Sequence, residues 1–456
     1  MVLSISAIIL FILLEIFLLG LHKKQYSFNF RVIVSLLLGI SFGLGLQFLA
    51  GGVNALAVND VLPFMQFFGL GYIALLKMLV IPLVLTSIIA SILKLGSLSG
   101  KLLNRLAILT VILLLGLTAL ASGIGLALGD WLNIGQGLSL PSGVFQPDQS
   151  YQGLVATLLG MLPSNPILVM TQENTIALVI FAIFIGLATM LLAKTDSKQA
   201  KPFKDFILAS FHISKKLANI VISLTPFGVL GLMGLETASQ GFQSLISVLN
   251  FIGAMYLAML AVLILHCVIL LSIKINPFTY FKKAYQPLLV AFTTRSSFGT
   301  LPVTEETLKN KFNLPQITAS FVPSIGATIG MNACAGIFPA MLVAMGMHIL
   351  HLPITTTTFF MVMFINAIAS LGVSGIPGTA YVAAAVTLTT LGLPYSIVGI
   401  VQGIDPIIDM GRTAVNVNGV MTSALVVDKN LSRYHFNYAD DKQSAIEIDG
   451  SAEETV

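Results

Sequence analysis

Charge is the property that this sequence has least of. Asp, Glu, Lys and Arg make up only 9% of its 456 residues, whereas a soluble globular chain carries about 25%. Hydrophobic residues make up 56%, and the mean hydropathy is +0.95. This balance excludes a soluble globule and predicts an all-α polytopic membrane protein, because a backbone that crosses a lipid bilayer must satisfy its own hydrogen bonds.

Residues that build enzymatic centres are also scarce. The two cysteines, Cys267 and Cys334, lie in apolar segments, so neither a disulfide framework nor a thiolate metal site is predicted. His266, His348 and His351 lack the His-Glu-x-x-His spacing of zinc proteases and are expected in loops or interfaces. No Gly-x-Ser-x-Gly run and no phosphate-binding glycine loop occurs. We therefore expect neither an enzyme nor a nucleotide-driven pump, and no cofactor.

The basic residues fall in alternate connections between the apolar runs. By the positive-inside rule these connections are cytoplasmic, which places the N-terminus outside and the C-terminus inside the cytoplasmic membrane. The acidic tail from Asp440 to Val456 is expected to be disordered in the cytosol. A net charge of +4 is too small to indicate a nucleic-acid partner. About nine runs are long enough to span a bilayer, near 3–21, 32–50, 64–93, 106–128, 175–193, 217–235, 245–273, 317–350 and 395–427.

Two further stretches do not suit a spanning helix. The stretch 287–309 has a polar centre at 293–302, and crossing would leave Lys309 and Lys311 on the outside. The stretch 354–393 has a centre rich in Gly, Ser and Pro at 370–378. We predict that each is a re-entrant hairpin, one entering from the cytoplasm and one from outside, with its tip lining a cavity. A pair of kinked spanning helices is the alternative.

The apolar run after each hairpin contains a break signal. The first lies at 326–336 and the second is Asn-Val-Asn-Gly at 416–419. Hairpin and broken helix thus occur twice with opposite entry, which is typical of the inverted repeats of secondary transporters. The predicted division is 1–30 (an added helix), 31–275 (six spanning helices), 276–315 (hairpin), 316–353 (broken helix), 354–393 (hairpin), 394–429 (broken helix with the substrate site) and 430–456 (cytoplasmic tail).

One narrow stripe carries the polarity of the last span. Asp405, Asp409, Arg412 and Asn416 fall within about 60° of helical arc, and Thr413 lies on its flank. An ionisable group at membrane depth costs roughly 3 kcal/mol or more unless it is paired or faces a watery cavity. The stripe therefore predicts a substrate or ion site, and a buried ion pair that only locks helices together is the alternative.

Several motifs resemble those of the dicarboxylate/amino acid:cation symporters, the family of the glutamate transporters. The run Asp-Met-Gly-Arg-Thr-Ala-Val-Asn-Val at 409–417 is the most specific, and Arg-Ser-Ser at 295–297, Gly-Ile-Pro-Gly at 375–378 and the run at 74–82 match as well. The resemblance covers nearly the whole chain. It is strongest to the bacterial L-cystine symporter branch, which shares the added first helix, the run at 332–337 and Asp-Pro at 405–406.

The resemblance implies a homotrimeric symporter in the lipid bilayer that imports L-cystine by an elevator mechanism. A scaffold built from early helices would stay fixed while the hairpins and broken helices carry the substrate. By position, Asp409 would accept the α-ammonium, and Asn416 with the backbone at Ser296 and Ser297 would hold the α-carboxylate. Further residues expected at the substrate are Arg412 at its far end, Thr413 in the pocket wall, Gly375 and Gly378 in the second hairpin tip, and Arg295, which would neutralise Asp405 or Asp409 when the site is empty.

The sequence departs from the family where sodium binds. The sodium-coupled glutamate branch carries Asn-Met-Asp-Gly-Thr, and this chain has Asn332 in place of that aspartate and Val420 in place of a second one. Because hard cations prefer oxygens with negative charge, fewer sodium sites are expected. The candidate cation residues are Thr328, Met331, Asn332, Ser370, Leu371, Val373 and Asp405. A proton on Asp405 or Asp409 is the other candidate coupling ion, and we favour proton or mixed coupling.

Two alternative functions remain open at this point. Arg412 also suits an acidic amino acid or a C4-dicarboxylate, because a guanidinium pairs well with a second carboxylate. A channel is the alternative from a different class, because polar hairpins also build ion filters.

Overall fold

The computed structural model describes residues 2–52, 55–96, 101–136, 138, 162–171, 175–240, 242–373, 375 and 378–432. Within these residues the secondary structure is helical and no strand occurs, as the sequence predicts. The tail predicted at 440–456 lies outside the described residues, as do Ser374, Ile376 and Pro377 of the second hairpin tip.

The first part of the chain forms a series of long apolar helices. They are α1 (Val2–Lys23), α2 (Phe28–Ala50), α3 (Leu56–Met78), α4 (Val80–Gly96), α5 (Lys101–Trp131), α6 (Pro166–Thr171), α7 (Thr175–Thr195), α8 (Ser197–Ser223), α9 (Thr225–Gln240) and α10 (Phe242–Ser272). Among the described residues, eight helical segments are long and apolar enough to cross a membrane. This is one fewer than expected, and the run at 395–427 is not among them.

The predicted span at 217–235 is corrected by the structure, since it straddles the boundary between α8 and α9 at Leu224. Pro226 has no N–H to donate to the carbonyl of Ile222, so the helix breaks there. The hydroxyl of Thr225 donates to that carbonyl instead, at 2.5 Å. The lysines from 198 to 216, which we expected in a loop, lie on α8.

The second part of the chain contains two hairpins and two broken helices. Hairpin 1 is Pro277–Thr294 followed by Ser297–Asn310, and broken helix 1 is Gln316–Gly326, a π-helical turn at Asn332–Ile337, and Phe338–Ile349. Hairpin 2 is Thr356–Ala369 with a 3₁₀ turn at Ser370–Gly372, followed by Ala380–Thr390; broken helix 2 is Ile397–Gln402 and Asp405–Ser432.

The break expected at 416–419 is wrong, because helix Asp405–Ser432 runs through it without interruption. The interruption lies upstream at Gly403 and Ile404, where Pro406 offers no N–H to Gln402. Asn416 and Asn418 bond to neighbouring elements through their side chains. They therefore do not compete with the helix backbone in the way that local asparagine hydrogen bonds do.

The part of broken helix 1 from Asn332 to Ile349 is almost entirely buried and packs against α5, α10 and broken helix 2. Asn366 in the first arm of hairpin 2 joins three elements there. Its Nδ2 donates to Ser122 of α5 at 2.7 Å and to the Gly336 carbonyl at 3.3 Å, and its Oδ1 accepts from Thr387 of the second arm. This amide ties both arms of hairpin 2 to the rest of the core.

Close backbone packing at Gly330 gives a prediction for stability. Gly330 has φ +72°, and a Cβ there would lie 2.4 Å from the Cβ of Leu114. Gly330→Ala should therefore lower the apparent melting temperature of the purified protein, with a cost above about 2 kcal/mol from strain and overpacking. Gly20→Ala, in α1 with nothing within 4 Å of its added Cβ, is the control and should be neutral or slightly stabilising. Equal melting temperatures for the two variants would contradict the packing described.

Candidate functional site

A buried ion cluster lies at the start of helix Asp405–Ser432. The side chain of Arg412 is fully buried, and its Nη2 donates to Oδ1 of Asp405 and, at 3.0 Å, to Oδ1 of Asp409. The spacings of seven and three residues put all three side chains on one face, as the stripe in the sequence predicts. The ring of Phe338 lies under the guanidinium, 4.3 Å from its Cζ, and adds a cation–π contact.

Two parts of this cluster are incompletely bonded. Oδ2 of Asp409, and Nε and Nη1 of Arg412, are buried and make no hydrogen bond to any residue that the structure describes. A buried donor or acceptor left without a partner costs about 1–3 kcal/mol, and more when it is charged. The cluster can therefore gain hydrogen bonds from a ligand.

Arg295 lines the same cavity as Asp409 but makes no ion pair with it among the described residues. In the described part of the chain, the ion pairs of Asp405 and Asp409 are with Arg412, because Arg412 shares their helix face. Arg295 has φ +55° at the tip of hairpin 1, and its Cζ lies 5.1 Å from the centroid of Phe28 in α2. It contributes positive charge near the aspartates without contacting them.

A small cavity lies between the tips of the two hairpins and the two broken helices. Six of the predicted substrate residues line it: Ser297, Gly375, Gly378, Asp409, Thr413 and Asn416. Ser296 and Arg412 are not among the lining residues, and Arg412 donates to Asp409. The other lining residues are Arg295, Met331, Cys334, Thr379 and Ala380.

The two hairpin tips contact each other directly through Gly375. Its carbonyl accepts from the hydroxyl of Ser296 at 3.2 Å and from the backbone N–H of Phe298 at 3.2 Å. Its own N–H donates to the Ala327 carbonyl at 2.8 Å. Ser296 also caps helix Ser297–Asn310, because its hydroxyl accepts from Gly299 at 3.0 Å. The positive N-terminal end of that helix, at Ser297, therefore faces the cavity.

Asn416 joins broken helix 2 to the π-helical turn of broken helix 1. Its Oδ1 accepts from the backbone N–H of Ala333 at 2.8 Å and of Cys334 at 3.4 Å, and its Nδ2 donates to the Cys334 sulfur at 3.0 Å. An amide nitrogen carries two hydrogens, so one stays available for a ligand in the cavity.

Apart from Asp405 and Asn332, the candidate cation residues lie at the break of broken helix 1 and at the turn of hairpin 2. The hydroxyl of Thr328 donates to Ile325 at 2.8 Å, and the Ser370 carbonyl accepts from Gly330 and Val373, each at 3.4 Å. Met331 lines the cavity, and Leu371 belongs to the 3₁₀ turn. A carbonyl oxygen has two lone pairs, so the Ser370 carbonyl already uses both, whereas the hydroxyl oxygen of Thr328 can still accept.

Val420 and Asn332, which replace two aspartates of the sodium-coupled branch, have different surroundings. Val420 packs in an apolar cluster with Leu114, Ile325 and Ile329. Asn332 is buried and its Nδ2 lies 2.9 Å from Nε2 of His266. Neither position presents a carboxylate to a cation.

Sequence reasoning missed the role of His266, which is completely buried and lies within helix α10 and not in a loop. It also missed Asn418 and Tyr280, whose side chains bond to each other at 2.9 Å beside that histidine. The available signal was a histidine in the middle of the apolar run at 245–273, where a polar side chain needs a partner.

Removing the positive charge of the cluster should destabilise the fold. Arg412→Met keeps most of the side-chain volume but leaves Asp405 and Asp409 buried without a cation, so we expect a loss of about 3–5 kcal/mol. Arg412→Met combined with Asp405→Asn should recover part of this loss. Thermal unfolding of the purified proteins measures both, with Lys309→Met on the exposed end of hairpin 1 as the control. A single variant as stable as the control would refute the charge-compensation role.

The family is shown by comparison with known proteins. A model described as the sodium:dicarboxylate symporter family matches residues 28–430. The L-cystine uptake protein TcyP of Bacillus thuringiensis is 34% identical over 443 residues, which cover 93% of this chain and 95% of the relative. The proteins of the same name from Bacillus licheniformis (34% over 449 residues, 94% and 95% covered) and Shouchella clausii (33% over 424 residues, 90% of each) are also similar. The resemblance seen in the motifs is confirmed: the chain belongs to the sodium:dicarboxylate symporter family and is a membrane transporter, not an enzyme.

Proposed function

We propose that this transporter imports L-cystine across the cytoplasmic membrane as a cation-coupled symporter. The observation that carries the proposal is Oδ2 of Asp409, a buried carboxylate oxygen without a partner at the wall of the cavity between the hairpin tips. An α-ammonium group brings three N–H donors to such an acceptor. The names of the relatives at 33–34% identity support L-cystine as the amino acid.

Other residues that line the cavity suit the α-carboxylate. They are Ser297, at the N-terminal end of helix Ser297–Asn310, and Asn416, whose amide keeps one hydrogen. Backbone N–H groups at a helix N-terminus bind anions well. The cavity therefore offers an acceptor for a positive group and donors for a negative group, which matches the head of an amino acid.

The charge balance of the site favours a substrate without net charge. Arg295 and Arg412 carry two positive charges, and Asp405 and Asp409 carry two negative charges, so the four cancel. L-Cystine has two ammonium and two carboxylate groups and keeps this balance. An acidic amino acid or a C4-dicarboxylate would add net negative charge, which is costly in a buried site. In the site without its coupling cation, this balance favours cystine over the acidic alternatives.

The choice of coupling ion rests on the two positions at which this chain lacks the aspartates of the sodium-coupled branch. Apolar packing at Val420 and the hydrogen bond between Asn332 and His266 support fewer cation sites than in the sodium-coupled branch. Thr328, Met331 and the backbone carbonyls of 370–373 are the candidates for sodium, with oxygen supplied by Thr328 and the carbonyls. Asp405 and Asp409 are the candidates for a proton, and we favour proton or mixed coupling.

An elevator mechanism is supported by the nature of the contacts between the hairpins and the early helices. Arg295 stacks on Phe28 of α2, and Nζ of Lys215 in α8 lies 5.3 Å from the ring of Phe298 in hairpin 1. Such cation–π contacts contribute about 0.5–2 kcal/mol each, so they can break and form again as the hairpins move. A homotrimer with the N-terminus outside and the C-terminus in the cytoplasm completes the proposal.

Uptake into proteoliposomes tests substrate and ion together. Labelled L-cystine is offered under a Na⁺ gradient and, separately, under a pH gradient, with excess unlabelled glutamate added to each. We expect saturable, concentrative uptake that the pH gradient drives and glutamate does not reduce. Uptake that requires Na⁺ alone would overturn proton coupling, competition by glutamate would overturn the choice of substrate, and current without stoichiometric uptake would indicate a channel.

Asp409→Asn tests the ammonium contact. The variant keeps the side-chain shape but loses the negative charge, so cystine uptake should fall by at least about 30-fold, equivalent to about 2 kcal/mol from a lost charge-assisted hydrogen bond. Asp196→Asn is the matched control, because Asn caps helix α8 as well as Asp does. Uptake retained in Asp409→Asn would refute this role.

A further inference from the structure

One buried histidine links the two broken helices. His266 of α10 has no exposed surface, its Nε2 lies 2.9 Å from Nδ2 of Asn332, and its Nδ1 lies 2.8 Å from Nδ2 of Asn418. Asn332 begins the π-helical turn of broken helix 1, and Asn418 lies on broken helix 2. A single imidazole therefore bridges the two elements that build the cavity.

The hydrogen-bond network continues beyond both asparagines. The hydroxyl of Tyr280 in hairpin 1 donates to Oδ1 of Asn418 at 2.9 Å. On the other side, Oγ1 of Thr118 in α5 lies 3.5 Å from Oδ1 of Asn332, and it donates to the Leu114 carbonyl at 2.8 Å. Five side chains from five elements thus form one buried hydrogen-bond network.

The chemistry of the imidazole ring decides which group donates and which accepts in each hydrogen bond of this network. A neutral imidazole has one N–H and one lone pair, so it accepts from one amide and donates to the other. The bond from Tyr280 holds Oδ1 of Asn418 away from the ring, so Asn418 donates to Nδ1. The Nε2–H must then donate to an oxygen, which Asn332 supplies when its amide is turned over.

Turning the Asn332 amide over also satisfies the other hydrogen-bonding groups of the network. Its Nδ2 then donates to Oγ1 of Thr118, whose own hydrogen already goes to Leu114. Each donor has an acceptor without a charged group, and in the described part of the chain no carboxylate pairs with His266. The protonated ring would instead need an oxygen on both sides.

We propose that His266 is a positioning residue for the substrate site, acting as a neutral Nε2–H imidazole through Asn332 and Asn418. Asn332 is next to Ala333, whose N–H binds Asn416 in the cavity wall. Asn418 lies two residues after Asn416 on the same helix. The imidazole thus fixes the relative position of the two segments whose contact orients Asn416. The effect on transport rests on the proposed function; the protonation state of the ring does not.

The tautomer is measured by ¹⁵N NMR of histidine-labelled protein in lipid bilayers. At neutral pH the His266 ring should give one protonated nitrogen, Nε2, and one unprotonated nitrogen, Nδ1. The signal is assigned by its loss in His266→Gln. An imidazolium or an Nδ1–H ring would overturn the proposal, and this result requires no knowledge of the substrate.

The positioning role is measured by the kinetics of labelled L-cystine uptake. His266→Leu leaves both amides without a partner, so KM should rise roughly tenfold with little change in maximal rate per folded transporter. His266→Gln should restore most of the affinity, because its amide can accept from Asn418 and donate to Asn332. Asn418→Leu, which cuts the chain on the other side, should raise KM as His266→Leu does.

The controls separate positioning from stability and from failure of the proposed function. His348→Gln, at the partly exposed end of broken helix 1, should leave KM unchanged. A purely structural role would lower the amount of folded His266→Leu protein but leave its KM at the wild-type value, and that result would overturn the proposal. Wild-type protein that does not take up cystine would refute the proposed function, whereas the NMR result would still decide the state of His266.

Discussion

Burial of Arg412 between Asp405 and Asp409 is the interaction on which the rest of the structure depends. Separate charges would be too costly at membrane depth, so the three side chains must share one helix face and be covered from all sides. Phe338 covers the guanidinium, and the hairpin tips close over Asp409. The unbonded Oδ2 belongs to Asp409, which lines the cavity, so this acceptor is available to a ligand there.

Interrupted helices are possible around this cluster because side chains take over the backbone groups that the interruptions release. The amide of Asn416 accepts from the N–H groups at the start of the π-helical turn, and Asn366 binds the carbonyl at its end. Irregular backbone at membrane depth is tolerated when its polar groups are bonded within the protein or line a cavity. The two asparagines therefore have a structural purpose.

How much was predictable depends on whether a feature is local. The ionisable stripe follows from helical spacing, and Gly, Ser and Pro at the centres of 287–309 and 354–393 indicated turns within apolar segments. The break assigned to 416–419 was wrong because the sequence does not show that Asn416 and Asn418 bond to other helices. For the same reason the contact of Arg295 with Phe28 and the burial of His266 were not predicted. The position of each of these side chains is decided by a partner more than 80 residues away in the chain.

The contact at Gly375 has a consequence for leakage. Both hairpin tips use the same carbonyl, which accepts from Ser296 and from Phe298. Movement of either hairpin away from the other breaks both bonds and exposes the same three polar groups to the cavity. Each tip is thus most stable against the closed partner, so the contact stabilises the state in which both entrances are shut. A continuous water path for ions would require both hairpins to leave that state.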